Sequence, residues 1–173
     1  MSRRLPMPAV SHFLRLFEQH HATFLAECDR LTKSDWLQWP MSAAYQGEWL
    51  LLPLISRRLC DGLAIDFEAH RRLCPETYRI LAAMPEVVEA GFSRLEPGTH
   101  IYPHVDADHS AFVRCHLGLR IPEGSLIRID GRISTWQEGR CMVFDGHLLH
   151  ETVNLSAEPR TILICDLDPA AVE

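Results

Sequence analysis

No stretch of eighteen apolar residues exists in this 173-residue chain, so a transmembrane helix of ordinary length is excluded. The longest apolar run, Trp49 to Ile55, is short and interrupted by Pro53. The basic start Arg3-Arg4 is not followed by a leader-like apolar region before Ser11-His12, and no secretory signal is expected. Basic charge is also scarce. Seventeen Lys and Arg stand against twenty-three Asp and Glu, a net charge of −6. That balance argues against nucleic-acid binding and against a polybasic contact with a membrane. No Cys-x-x-Cys pair occurs among Cys28, Cys60, Cys74, Cys115, Cys141 and Cys165, which excludes a zinc knuckle or a thioredoxin-like motif. There is no internal repeat, low-complexity tract or linker. At roughly 150 residues per domain, one domain over 1–173 is expected. It should be cytoplasmic, with free thiols.

What the chain does contain changes texture near residue 87. Before it, Val10, Phe13, Leu14, Phe17, His21, Phe24, Leu25, Cys28 and Leu31 recur at spacings of three and four, which predicts one helical face. Thr32 to Asp35 breaks the pattern, and Glu48 to Ile55 reads as a buried strand. A second helix should begin at Pro75 and stop before Pro85. Beyond 87 come short apolar or alternating runs: Val87-Val88, Phe92 to Leu95, Ile101-Tyr102, Phe112 to Ile121, Leu126 to Ile129, Cys141 to Phe144, Glu151 to Val153 and Thr161 to Asp166. Pro97-Gly98, Pro122-Glu123-Gly124, Asp130-Gly131 and Glu138-Gly139 separate many of them. Strands at this spacing predict a sandwich or jelly roll. The expected organisation is mainly β with flanking helices: N-terminal helices and one supporting strand over 1–86, and a β-core over 87–173.

Six of the ten histidines, His100, His104, His109, His116, His147 and His150, lie within 51 residues. In Pro103-His104-Val105-Asp106, an extended backbone projects His104 and Asp106 to one side. A histidine from another strand would complete a set of two imidazoles and a carboxylate, which leaves adjacent iron positions open. The plain competing reading is a solvated turn at Asp106-Ala107-Asp108. From Phe112 to Ile121 the odd positions Val113, Cys115, Leu117, Leu119 and Ile121 form an apolar face, opposite Arg114, His116 and Arg120. If that second face lines a cavity, Arg114 and His116 are carboxylate donors; otherwise it meets solvent. Arg160 shares a face with Ile162 and Ile164. Pointing inward it would need an anion that fits its fork, whereas at the strand mouth it would reach water. His12, His20, His21 and His70 read as surface or helix-face residues, and Asp166 as a structural acceptor.

These pieces together resemble the aspartyl/asparaginyl β-hydroxylase family of iron(II)- and 2-oxoglutarate-dependent oxygenases. The resemblance runs from Glu48-Trp49 to Asp168-Pro169. It is strongest in Glu96 to His104, Arg114 to Leu119, Trp136 to Gly139, Phe144-Asp145 with His150-Glu151, and Arg160 to Asp168-Pro169. The family implies a double-stranded β-helix of the cupin-like, jelly-roll class, with iron held by His104 and His150. It selects His150 over the rival ligand His147. It implies that Arg160, with Ser93 nearby, binds the distal carboxylate of 2-oxoglutarate. His116 and Arg114 would bind the other end or a substrate carboxylate, and Trp49 would stand near the cosubstrate. Where animal members carry glycine, this chain has Asp106, which restores a full triad as in bacterial relatives that hydroxylate lipid A acyl chains. The implied reaction consumes O2 and 2-oxoglutarate and hydroxylates an unactivated C–H. The expected substrate is an Asp or Asn side chain in a peptide, or a free or carrier-linked amino acid, with Arg114 or Arg120 pairing its carboxylate. The alternatives are an acyl-chain hydroxylase and a non-catalytic cupin-like module that binds metal or an anion. His100 and His109 flank the metal loop and are candidates for a supporting shell.

Overall fold

The N-terminal apolar stripe is carried by two helices where the sequence suggested one. The computed structural model describes residues 7–56, 65–106 and 113–168, so Cys60, His109 and Phe112 lie outside the described residues. Helix α1 (Met7–Gln19) and helix α2 (His21–Cys28) meet at His20. Phe13, Phe17 and Phe24 nevertheless share one buried cluster, with ring centroids 5.1 and 5.2 Å apart. A short 3-10 turn at Lys33–Asp35 follows, capped at its start by Thr32, whose N–H and hydroxyl both donate to Asp35 Oδ2 at 2.7 Å.

Strands β1 (Leu37–Gln38), β2 (Tyr45–Gln46) and β3 (Trp49–Ser56) follow, then helices α3 (Phe67–Leu73) and α4 (Pro75–Ala82). Helix α4 starts at the expected Pro75, and its first N–H groups, of Glu76 and Thr77, donate to the buried Glu27 carboxylate. The remaining strands are β4 (Val87–Leu95), β5 (His100–His104), β6 (Val113–Arg120), β7 (Ser125–Ile129), β8 (Arg132–Ser134), β9 (Cys141–Asp145), β10 (His150–Asn154) and β11 (Arg160–Leu167). Val87-Val88 and Phe92 to Leu95, expected as separate runs, belong to the single strand β4. Helix α3 and the short β1, β2 and β8 were not expected. His70, expected on a surface or a helix face, lies in α3 and is buried, with Nδ1 2.8 Å from the Pro53 carbonyl.

Two antiparallel sheets result, in the orders β1-β3-β4-β11-β6-β9 and β2-β5-β10-β7-β8. The architecture is that of a jelly roll, as expected. Alternation sorts the larger sheet's side chains. Leu50, Leu52, Leu54, Val113, Cys115, Leu117, Leu163, Cys165 and Leu167 pack outward against α1, α2 and α4. The other face of this sheet looks toward the smaller one, where Ile127, Trp136, Phe144 and Ile162 form one cluster and Tyr45, Leu95 and Ile101 another. The five described cysteines are free, and burial pushes the Cys28 and Cys74 thiols up to about 12. Among the described residues no helix is long and apolar enough to cross a membrane.

Candidate active site

Between the two sheets lies a cavity of about 310 Å3. The residues assigned from the sequence to metal and cosubstrate all line it: Trp49, Ser93, His104, Asp106, Arg114, His116, His150 and Arg160. Two clusters of polar atoms share it.

The first cluster is a candidate ligand set for a metal ion. His104 closes β5 and His150 opens β10, directly opposite each other in the ladder, with ring centroids 4.2 Å apart. One ligand atom from each of His104, Asp106 and His150 falls within 4.8 Å of the others. The Nδ1 of His104 lies 2.7 Å from the Tyr102 carbonyl, and that of His150 2.8 Å from the Leu148 carbonyl. A carbonyl only accepts, so both Nδ1 atoms carry the proton and both Nε2 lone pairs are presented to the same point. Burial first, then the neighbouring His104, lowers the His150 pKa and keeps that lone pair available. Two imidazoles and a carboxylate suit iron(II), and the donor set fits it. Asp106 arrives differently from the expected strand alternation, because it lies in the loop beyond β5. Its N–H donates to the Gly146 carbonyl at 3.0 Å.

The second cluster gathers buried hydrogen-bond donors. Arg160 is 2% exposed, and its Nε and Nη1 have no hydrogen-bond partner. Its guanidinium carbon stands 4.8 Å from the centroid of the Trp136 ring. Desolvation alone pulls its pKa down to about 9, so it remains a cation at neutral pH. A buried, unpaired cation is expensive. Beside it, Trp136 Nε1–H donates to His116 Nδ1 at 3.2 Å. Indole nitrogen only donates, which leaves the His116 proton on Nε2, a buried atom also without a partner. Burial, then the nearby arginines, holds the His116 pKa well below the usual histidine value, so this donor is neutral. Ser93 Oγ accepts from Trp49 Nε1–H at 3.1 Å, freeing its own hydroxyl to donate. Arg160, His116 and Ser93 thus offer donors to an anion that the protein itself does not supply.

Other candidates sit elsewhere. The Arg114 guanidinium lines the cavity, yet its fork is taken by Asp166 and Asp106. Arg120 is exposed and bound to Asp29 at 2.6 Å on the helix side. A bulge between Thr161 and Ile162 shifts the pairing of β6 and breaks the parity that placed Arg120 with Arg114. The rival His147 is exposed and pairs with Asp145 at 2.9 Å, and His100 pairs with Glu151 at 2.8 Å. Asp166, Trp136 and Gly146 were given no functional role from the sequence. Asp166 had a signal, since it alternates in register with Arg160, Ile162 and Ile164; Gly146 had none.

Comparison with known proteins places these observations in a family. The sequence profile of the aspartyl/asparaginyl β-hydroxylases matches residues 18–169. The chain is 32% identical to human aspartate β-hydroxylase domain-containing protein 2 over 92% of this chain and 45% of that protein. It is 33% identical to the ornithine lipid ester-linked acyl 2-hydroxylase of Rhizobium tropici over 61% of this chain and 38% of that one. The chain thus spans about half the length of the first of these relatives. Among solved structures, a 2OG-Fe(II) oxygenase-family oxidoreductase from Burkholderia pseudomallei superposes with a TM-score of 0.58 at 14% identity, covering 86% of this chain and 78% of that one. A Pseudomonas putida prolyl-4-hydroxylase gives 0.56 at 18%, covering 87% and 86%. At such identities the likeness is one of fold.

Proposed function

Because the chain belongs to the aspartyl/asparaginyl β-hydroxylase family, we propose that it is an iron(II)- and 2-oxoglutarate-dependent hydroxylase of unactivated C–H bonds. The carrying observation is the buried guanidinium of Arg160, whose Nε and Nη1 have no partner, in the same cavity as His104, Asp106 and His150. When bound, iron and 2-oxoglutarate supply the oxidising chemistry with O2. The protein's own groups do the rest. His104, Asp106 and His150 hold the metal. Arg160 and Ser93 receive the distal carboxylate, and the His116 Nε2–H is placed to donate to the cosubstrate's other end. Trp49 and Ile162 wall this half of the cavity.

Of the two substrate readings, the cavity favours the aliphatic chain over the aspartyl or asparaginyl side chain. Leu51, Pro53, Ile55, Ile65 and Phe67 line the same cavity. An adjoining space of about 150 Å3, bounded by Leu37, Gln38 and Pro40, shares Trp39, Leu51, Pro53 and Ile65 with it. A substrate carboxylate would enter a cavity also lined by Asp166 and Glu89; of the two arginines expected to pair with it, Arg114 is already held by two carboxylates and Arg120 by Asp29 outside the cavity. Like charges in a low-dielectric site repel strongly. The test is succinate release from 2-oxoglutarate in the presence of fatty-acyl amphiphiles and of Asp- and Asn-containing peptides. The reading expects turnover, and a product heavier by one oxygen, with the acyl substrates. Coupled turnover with the peptides alone would reverse the substrate assignment. No stimulated succinate release from any C–H donor would count against catalysis and favour a binding module.

A further inference from the structure

Asp106 is the one member of the ligand set that no strand holds. His104 and His150 are fixed by the β5–β10 ladder, whereas Asp106 stands beyond the end of β5. What fixes its side chain is Arg114, whose Nη1 donates to Asp106 Oδ2 at 2.5 Å. Arg114 is itself clamped on the next strand. Its Nε and Nη2 donate to the two carboxylate oxygens of Asp166, each at 2.8 Å, and the two residues are direct partners across β6 and β11. Asp166 is 2% exposed. Burial works against the Arg114 charge, but Asp166 and then Asp106 outweigh it and raise its pKa, so Arg114 is a permanent cation.

We propose that Arg114, anchored by Asp166, is the positioning residue for the metal ligand Asp106, and that it does not bind the carboxylate of substrate or cosubstrate. The inference rests on the metal-site reading above. A bidentate guanidinium–carboxylate pair has fixed geometry, so the Asp166 clamp sets where the third guanidinium donor points. That donor occupies Oδ2 and leaves Oδ1, 3.9 Å from His104 Nε2, as the unengaged oxygen. Coordination through one oxygen keeps the set at three protein atoms. Asp166 also supplies a charge. An arginine paired with Asp106 alone would neutralise the carboxylate and weaken its hold on a cation. With Asp166 present, the three side chains carry one net negative charge, and a metal meets an undiminished anion.

The experiment titrates Mn(II) into metal-free protein without 2-oxoglutarate, read by the loss of the free-ion electron paramagnetic resonance signal. Groups that orient metal ligands are worth roughly tenfold to a hundredfold in metal affinity. Arg114→Met and Asp166→Asn should each weaken Mn(II) binding by about that factor, and Arg114→Lys, which keeps the charge and one donor, should recover part of it. In an Asp106→Ala background, Arg114→Met should add little, because coupled residues are not additive. Wild-type Mn(II) affinity in Arg114→Met, together with weakened 2-oxoglutarate binding, would overturn the proposal. So would an equal loss with and without Asp106. Should Arg114→Met fail to fold by circular dichroism, Arg114→Lys and Asp166→Asn decide the matter by the same titration. A wild-type protein that binds no Mn(II) removes the metal-site reading and this inference together.

Discussion

Arg160 carries the sharpest consequence of any single residue. Its guanidinium is buried in a wall of the cavity with two donor groups unsatisfied, a state that a bound carboxylate relieves. Removing one partner of a buried charge pair costs about 3–5 kcal/mol, which corresponds to roughly two to four decades of affinity. Arg160→Ala should therefore lose 2-oxoglutarate binding by that factor, measured by calorimetry with Mn(II) present, while Mn(II) affinity itself is kept. Arg160→Lys should recover only part, because an ammonium lacks the parallel fork. His116 sets a pH dependence. Its folded pKa lies below the ordinary value of about 6.5, so the unfolded chain binds the extra proton first. The stability from the neutral ring is full above that value and is lost as pH falls toward the folded pKa. Thermal melts of the metal-free protein should show stability dropping below about pH 6.5, with a shallower slope in His116→Gln; identical slopes would contradict the assignment. That Arg160 turns inward was legible from its alternation with Ile162 and Ile164. The tautomer of His116 was not, because it depends on Trp136, twenty residues away and on another element.

At the level of elements, what the sequence revealed was period, and what it concealed was contact between loops. The alternating runs of β3, β6 and β11 and the proline start of α4 carried their own signals. Strands of two or three residues, such as β1, β2 and β8, contain no period to read. Arg120 was misplaced because a bulge resets parity without marking the sequence. Two glycines show how far loop contacts govern the site. A Cβ on Gly118 would stand 2.3 Å from the Gln137 carbonyl oxygen, so glycine lets the segment carrying Trp136 cross β6 closely. A Cβ on Gly146 would stand 2.4 Å from Asp106 Oδ2, closer than any real contact permits. Gly146→Ala should displace the Asp106 carboxylate and cost about tenfold or more in Mn(II) affinity, with the thermal unfolding midpoint little changed because the residue lies in a turn outside both sheets. Full Mn(II) affinity in that variant would show that Asp106 does not occupy the place described.

For the whole molecule, one layer of helices seals the outer face of the larger sheet, and the inner face is left to enclose chemistry. The five described cysteines follow this division: Cys28, Cys74, Cys115 and Cys165 are buried on the helix side and the half-buried Cys141 packs against the same cluster, all as small apolar groups. Unreduced protein should accordingly show the mass of a chain without disulfides, and three disulfides would contradict the packing. Strand spacing disclosed the fold class, since it is a property of the whole chain. The substrate half of the cavity was not disclosed, because Leu51, Pro53, Ile65 and Phe67 look in sequence like any other core residues. The central claim is that one cavity holds iron(II) at His104, Asp106 and His150 and 2-oxoglutarate at Arg160. The most direct measurement is an anaerobic titration of iron(II) and then 2-oxoglutarate, followed by the weak visible charge-transfer band of the chelated metal. The account predicts a saturable band at one equivalent of each, absent in His150→Ala and needing far more 2-oxoglutarate in Arg160→Ala. A band of wild-type strength and midpoint in both variants, or no band in the wild type, would contradict it.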